Sequence, residues 1–199
     1  TQVKVDPFDP AFSNPTKVIG RYMTKEEAEA EEAKGNYVVE EPEGYRRIIA
    51  APKPMDIYEI DAVNALLDAH QIVIAAGGGG IPVLEQRTKL KGASAIIEKD
   101  YVAARLAELT EADTLLFLTV YDKLTVNAGT PDEHSFDNVT TAELKPYVST
   151  GDFGPITTLP KVNAAIEFVE AGTGRKAVIA NLEHAKDALL GKCGTTVTK

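Results

Sequence analysis

Ile72-Val-Ile-Ala-Ala-Gly-Gly-Gly-Gly-Ile-Pro-Val83 runs a short apolar stretch into four consecutive glycines. An apolar run bounded by glycines reads as a strand buried on both faces, the kind that sits in the middle of an α/β sheet. Glycines at its carboxyl end let the backbone bend sharply and let a ligand's phosphate approach exposed N–H groups. The same residues would equally serve a tight strand-to-loop turn with no ligand. Two common phosphate loops are excluded by spacing: no Gly-Lys-Ser/Thr follows, and Gly-x-Gly-x-x-Gly is absent.

Working outward from this stretch, residues 55–199 alternate helical and strand patterns. Asp56–Ala69 carries Ile60, Val63, Leu66 and Leu67 at helical spacing, and Ile72–Ala76 follows as a strand. Ser94–Ile97 reads as a second strand and Tyr101–Leu109 as a helix with Val102, Leu106 and Leu109 on one face. Thr114–Val120 is a third apolar strand, and Thr140 with Glu143 forms a capping box for a short helix reaching Tyr147. Pro160–Ala171 is a helix with Val162, Ala165, Ile166 and Val169 inward, its proline suited to the first turn. Lys176–Ala180 (strand), Leu182–Leu190 (helix) and Thr195–Thr198 (strand) close the chain. This alternation predicts an α/β fold with a mostly parallel sheet covered by helices on both faces. Sites in such sheets gather at the carboxyl ends of strands, where the glycines, Lys99-Asp100 and Asp122 all fall.

Residues 1–54 differ. They are rich in Pro, Asp, Glu and Lys, with short apolar clusters only. Thr24-Lys-Glu-Glu27 opens an acidic, Ala-rich helix with a capping box, and Gly35 ends it. Tyr37-Val-Val39 and Tyr45–Ala50 are strands joined by a Pro/Gly turn, and Pro52-Lys-Pro54 reads as an extended linker. The expectation is a small α+β subdomain over 1–54 leaning on a larger lobe over 55–199.

With 199 residues, 44% of them hydrophobic, the chain can bury one good core. A net charge of −9 argues against nucleic acid or an anionic membrane surface as partner. An anionic substrate would have to be met by a few local lysines and backbone donors. Cys193 is the sole cysteine, which excludes a disulfide framework and a Cys-based metal site. His70, His134 and His184 are far apart, without metal-ligand spacing, and read as surface residues. No apolar stretch is long enough to span a bilayer and no leader pattern is seen, so a soluble, cytoplasmic protein is expected. The chain begins at Thr1 rather than Met, which points to a processed or incomplete product.

Three lysines carry the functional question. Lys99-Asp100 follows an apolar strand and could hold a transferred phosphate, or Asp100 could simply cap the next helix. Lys161 sits in the first turn of a helix, where a cation opposes the dipole. An anion bound at that N-terminus would explain it, and so would a side chain extended into water. Lys17, in Asn14-Pro-Thr-Lys17, reads as a loop residue.

Taken together, Thr1-Gln-Val-x-Val-Asp6, Asp9-Pro-Ala-Phe12, Asn14-Pro-Thr-Lys17, Pro52-Lys-Pro54, Gly77-Gly-Gly-Gly-Ile-Pro-Val83, Leu90-Lys-Gly92, Ile97-Glu-Lys-Asp100, Leu159-Pro-Lys161 and Gly191-Lys-Cys-Gly-Thr195 resemble the carbamate kinases of the amino acid kinase fold. The resemblance covers essentially the whole sequence. It implies an amino acid kinase-like C-terminal lobe over 55–199 with a protruding subdomain over 1–54. It implies reversible phosphoryl transfer between ATP and carbamate, with ADP and carbamoyl phosphate giving ATP. ATP/ADP and Mg²⁺ are the implied cofactors, small molecules the partners, and a homodimer the assembly. Lys99 and Lys161 would neutralise the phosphoryl group in flight, Asp100 would orient them, and Lys17 would reach towards the terminal phosphate. Gly77, Gly78, Gly79 and Gly80 would line the site, while Thr119, Asp122, Asn127 and Phe153 would lie along the nucleotide pocket.

The sequence departs from the family pattern. The family's N-terminal half, with its Gly-Gly-Asn and Gly-Asn-Gly-Pro loops, is not in it. Ile156-Thr-Thr158 stands where the family has Gly-Ser-Met, and Val120 where it has Gly or Asp. An alternative therefore stays open: a non-catalytic nucleotide-binding or structural relative, a degenerate or truncated carbamate kinase.

Overall fold

A computed structural model describes residues 1–150, Phe153 and 158–199. Ile156 and Thr157, two of the residues at which the sequence departs from the family pattern, lie outside the described residues. The chain forms two compact units: Thr1–Glu59 with Ile74–Lys99, and Ile60–Val73 with Asp100–Lys199.

In chain order the first unit holds β1 (Gln2–Val5), β2 (Lys17–Met23), α1 (Lys25–Ala33), β3 (Tyr37–Glu41), β4 (Gly44–Ile49), β5 (Pro54–Ile57), β6 (Ile81–Gln86) and β7 (Lys89–Gly92). One sheet runs β5-β1-β6-β7, with β1 antiparallel to β5 and parallel to β6. Val3 and Val5 are fully buried while Gln2 and Lys4 point the other way, the period-two pattern of a half-buried strand. A second sheet runs β2-β4-β3, and α1 packs on β3 and β4 through Ala28. The expected capping box is present: Glu27 N–H donates to the Thr24 hydroxyl, and Thr24 N–H donates to the Glu27 carboxylate.

Four expectations are corrected in this region. Ile72–Ala76 is not a strand; Ile72 is 98% and Ile74 97% exposed, and no strand pairs with the run among the described residues. Apolarity favours burial, but a strand also requires a neighbour for its N–H and C=O groups. Ser94–Ile97 reduces to one parallel bridge, Ala50 with Ala95. Lys17 is not in a loop: it opens β2 opposite Ile49. The helix expected from Asp56 starts only at Ile60, because Pro54–Ile57 is taken up in pairing with β1.

The second unit holds α2 (Ile60–Asp68), α3 (Lys99–Leu109, its first residue counted with the first unit), β8 (Thr114–Thr119), β9 (Thr125–Val126), β10 (His134–Ser135), β11 (Asn138–Thr140), α4 (Thr141–Thr150), α5 (Thr158–Glu170), β12 (Lys176–Asn181), α6 (Ala185–Leu189) and β13 (Thr195–Thr198). Its sheet runs β11-β13-β12-β8, parallel at both ends and antiparallel between β13 and β12. Alternate residues of β12 face opposite sides. Ala177 and Ile179 join the core under α5, with Phe117, Val162, Ala165, Phe168 and Val169. Val178 and Ala180 meet Ala188 of α6 on the other face. Each fully buried Val, Ile or Phe here contributes on the order of 1.5–3 kcal/mol, which is what fixes α5 and therefore its first turn. Thr119 pairs in register with Asn181, so β8 and β12 end side by side. Among the described residues no helix is long and apolar enough to cross a membrane.

Candidate active site

α5 starts at Thr158 and has Pro160 and Lys161 in its first turn. Lys161 does not extend into water: it is 9% exposed, and its Nζ lies 3.4 Å from Oδ2 of Asp100. Asp100 is 4% exposed in the first turn of α3, where a carboxylate also complements the helix dipole. It is therefore not a solvated cap. An ion pair this shielded interacts strongly, because little water screens it. A cation at a helix N-terminus, beside the N–H groups of the first turn, makes a place suited to an anion.

Within the first unit, Lys17 is paired with Glu98, the residue before Lys99. Lys99 is exposed and opens α3. The backbone of 97–99 is pressed against the glycine run: a Cβ on Gly79, at φ +132°, would lie 2.2 Å from the Ile97 carbonyl oxygen. Gly80, at φ +77°, would place its Cβ 2.5 Å from Val3 Cγ2. These two glycines are needed by the chain's own packing. Gly77 and Gly78 have open space around them and, with Gly80, line a cavity of about 470 Å³ with Thr1, Ala95 and Ile97.

Of the residues expected along a nucleotide pocket, Phe153 and Asp122 line two crevices that share Lys123. Phe153 lines a cavity of about 410 Å³ with Val120, Tyr121, Lys123, Glu133 and Thr158. Thr119 is buried, its hydroxyl donating towards the Tyr121 carbonyl at 2.7 Å and the Ala180 carbonyl at 3.2 Å and accepting from Tyr121 N–H at 3.3 Å. Asp122 accepts from Asn181 Nδ2 at 3.0 Å and faces a different crevice, with His184 and Cys193. Asn127 holds a left-handed turn (φ 54°) through its bond to the Asp132 carbonyl. Sequence reasoning missed Tyr121, Thr158 and Glu98. Burial pushes the Tyr121 phenol up, the facing Thr158 hydroxyl partly opposing this. Only the β8–loop boundary after Thr119 could have signalled Tyr121.

For a divalent metal, the described residues offer no group of three or more His, Cys, Asp or Glu side chains. Asp100, the buried carboxylate, already pairs with an ammonium. Among the described residues the donor set does not fit a protein-built metal cage.

Comparison with known proteins agrees with the fold. Residues 25–181 match the model of the amino acid kinase family. The chain is 47% identical over 201 residues to a carbamate kinase of Clostridium perfringens, and 46% identical over 198 residues to a carbamate kinase-like protein of Escherichia coli. These alignments cover 100% and 99% of this chain but 64% of each relative, so the chain spans just under two thirds of their length. The solved carbamate kinase of Giardia lamblia bound to AMP-PNP superposes with a TM-score of 0.91 at 37% identity, over 100% of this chain and 63% of that one.

Proposed function

We propose that this chain, which belongs to the amino acid kinase family, carries the nucleotide side of a carbamate kinase-type phosphotransferase. The reaction is reversible transfer of a phosphoryl group between ATP and carbamate. A carbamate oxygen attacks the γ-phosphorus, the bond to the bridging oxygen breaks, and ADP leaves with the electron pair. No proton moves, so no acid or base is needed. What the protein must supply is position and positive charge.

The observation that carries the reading is the buried Lys161–Asp100 pair at the start of α5. Asp100 holds the ammonium in place, and Lys161 would meet the charge that spreads over the phosphoryl oxygens. By the family resemblance, Lys99 would help neutralise the phosphoryl group, Lys17 would reach towards the terminal phosphate, Gly77 to Gly80 would line the site, and Thr119, Asp122, Asn127 and Phe153 would lie along the nucleotide. The Phe153 cavity, with Val120 and Tyr121 beside it, suits a planar base. Mg²⁺ would arrive on the nucleotide's own phosphates, which are its usual partners, and no step here is routed through it. The protruding role of residues 1–54, a cytoplasmic setting and a homodimer belong to the same proposal. Support comes from the identity to carbamate kinases and from the AMP-PNP-bound neighbour.

A second reading, a nucleotide-binding module without turnover, is supported by the sequence departures at Ile156-Thr-Thr158 and Val120. Formation of ATP from ADP and carbamoyl phosphate by the purified chain tests the first reading. Heat of ADP binding without ATP formation would leave the second.

A further inference from the structure

The ammonium of Lys17 and the carboxylate of Glu98 meet across 81 residues of sequence, both partly shielded, at 39% and 21% exposure. The backbone at each end is fixed. Lys17 pairs with Ile49 in the β2–β4 ladder. Ile96 N–H donates to the Ala50 carbonyl, Ile97 is buried, and Gly79 packs against the 97–99 backbone. Anchored ends remove much of the ordering entropy that weakens ordinary surface ion pairs.

Glu98 is out of place in a phosphate site. A carboxylate next in sequence to Lys99 repels an incoming phosphate rather than holding it. Its position makes sense if it serves the lysine instead.

Resting on the phosphoryl-transfer reading, we propose that Glu98 is a positioning residue: it holds the Lys17 ammonium while no anion is bound and yields it to the terminal phosphate of a nucleotide. The step is an exchange of partners. An N–H···O bond from Lys17 to the carboxylate is replaced by one to a phosphate oxygen, the Glu98 carboxylate turns to water, and no covalent bond changes. A nucleoside triphosphate wins this exchange through its greater charge. Glu98 therefore lowers phosphate affinity while keeping Lys17 in reach.

Two measurements test this, one needing no ligand. In a brief acetic anhydride pulse read by mass spectrometry, Lys17 should react more slowly than the exposed Lys89 and Lys91. Glu98→Gln should raise Lys17 acetylation about two- to fivefold, the range of a partly exposed ion pair. Glu98→Asp should retain part of the protection, and Lys89 should not change. In calorimetry with Mg·ATP, Glu98→Gln should bind about two- to fivefold tighter than the natural chain, and the gain should vanish in a Lys17→Met background. Equal Lys17 acetylation overturns the pairing. Unchanged or weaker ATP binding in Glu98→Gln, where the natural chain binds, overturns the exchange alone. Binding by neither overturns the phosphate-site reading and the exchange with it.

Discussion

The Lys161 ammonium and the Asp100 carboxylate stand 3.4 Å apart, both buried, joining the first turn of α5 to the first turn of α3. Removing one partner takes this contact from the other, a buried charge. Asp100→Ala should therefore lower stability by about 3–5 kcal/mol in urea denaturation. Replacing both, as Lys161→Met with Asp100→Leu, should restore most of that loss while removing the proposed contact to phosphate. A double variant as unstable as Asp100→Ala alone would show that the pair is not the unit that matters.

Gly79 is required by geometry. An added Cβ would meet the Ile97 carbonyl oxygen at 2.2 Å, backbone against backbone, at φ +132°. Gly79→Ala should cost about 3 kcal/mol or more, through overpacking and backbone strain together. Gly78→Ala, with open space around it, should change stability by no more than about 0.5 kcal/mol. Equal effects at the two positions would contradict this account of the glycine run.

Ile72 and Ile74 stand almost fully in water, as does Val120 at 94% exposure. Since they bury almost nothing, Ile72→Ser with Ile74→Ser should leave urea stability within about 0.5 kcal/mol. The same change should reduce binding of a hydrophobic dye such as ANS. A large loss of stability would mean that this run is covered in the isolated chain.

The Arg21 guanidinium beside Glu27, together with the Thr24 N–H, holds the Glu27 carboxyl at about 2, against an ordinary value of 4.5. A depressed value stabilises the folded form above 4.5, and that contribution is lost as pH falls towards about 2. An NMR titration of the Glu27 carboxyl should show a midpoint near 2, moving up in Arg21→Ala. A midpoint at the ordinary value in the natural chain would remove the capping interaction.

Where local pattern and packing agree, the sequence was legible. α5 was readable because Val162, Ala165, Ile166 and Val169 all lie on its buried face, and the capping boxes at Thr24 and Thr140 form as their spacing requires. β1, β6 and β7 escaped notice. Lys4, Pro82 and Lys89 break the apolar pattern, and pairing between distant segments decides these strands. Ile72–Ala76 failed for the opposite reason: its residues suit a strand, but no neighbour pairs with it among the described residues. At the site, Lys161 was identifiable as an anomaly against the helix dipole. Its pairing with Asp100 depends on tertiary packing, and Glu98 is one acidic residue among 30 until Lys17 is seen against it.

On the proposed reading, Lys161 stabilises the phosphoryl group in transfer. The most direct test of that role is the steady-state rate of ATP formation from ADP and carbamoyl phosphate, comparing the natural chain with Lys161→Ala confirmed as folded by its thermal transition. Loss of a group acting on transition-state charge should lower kcat by about 100-fold or more, with KM for ADP changed far less. Equal kcat values in the two proteins, or no ATP formed by the natural chain, would contradict it.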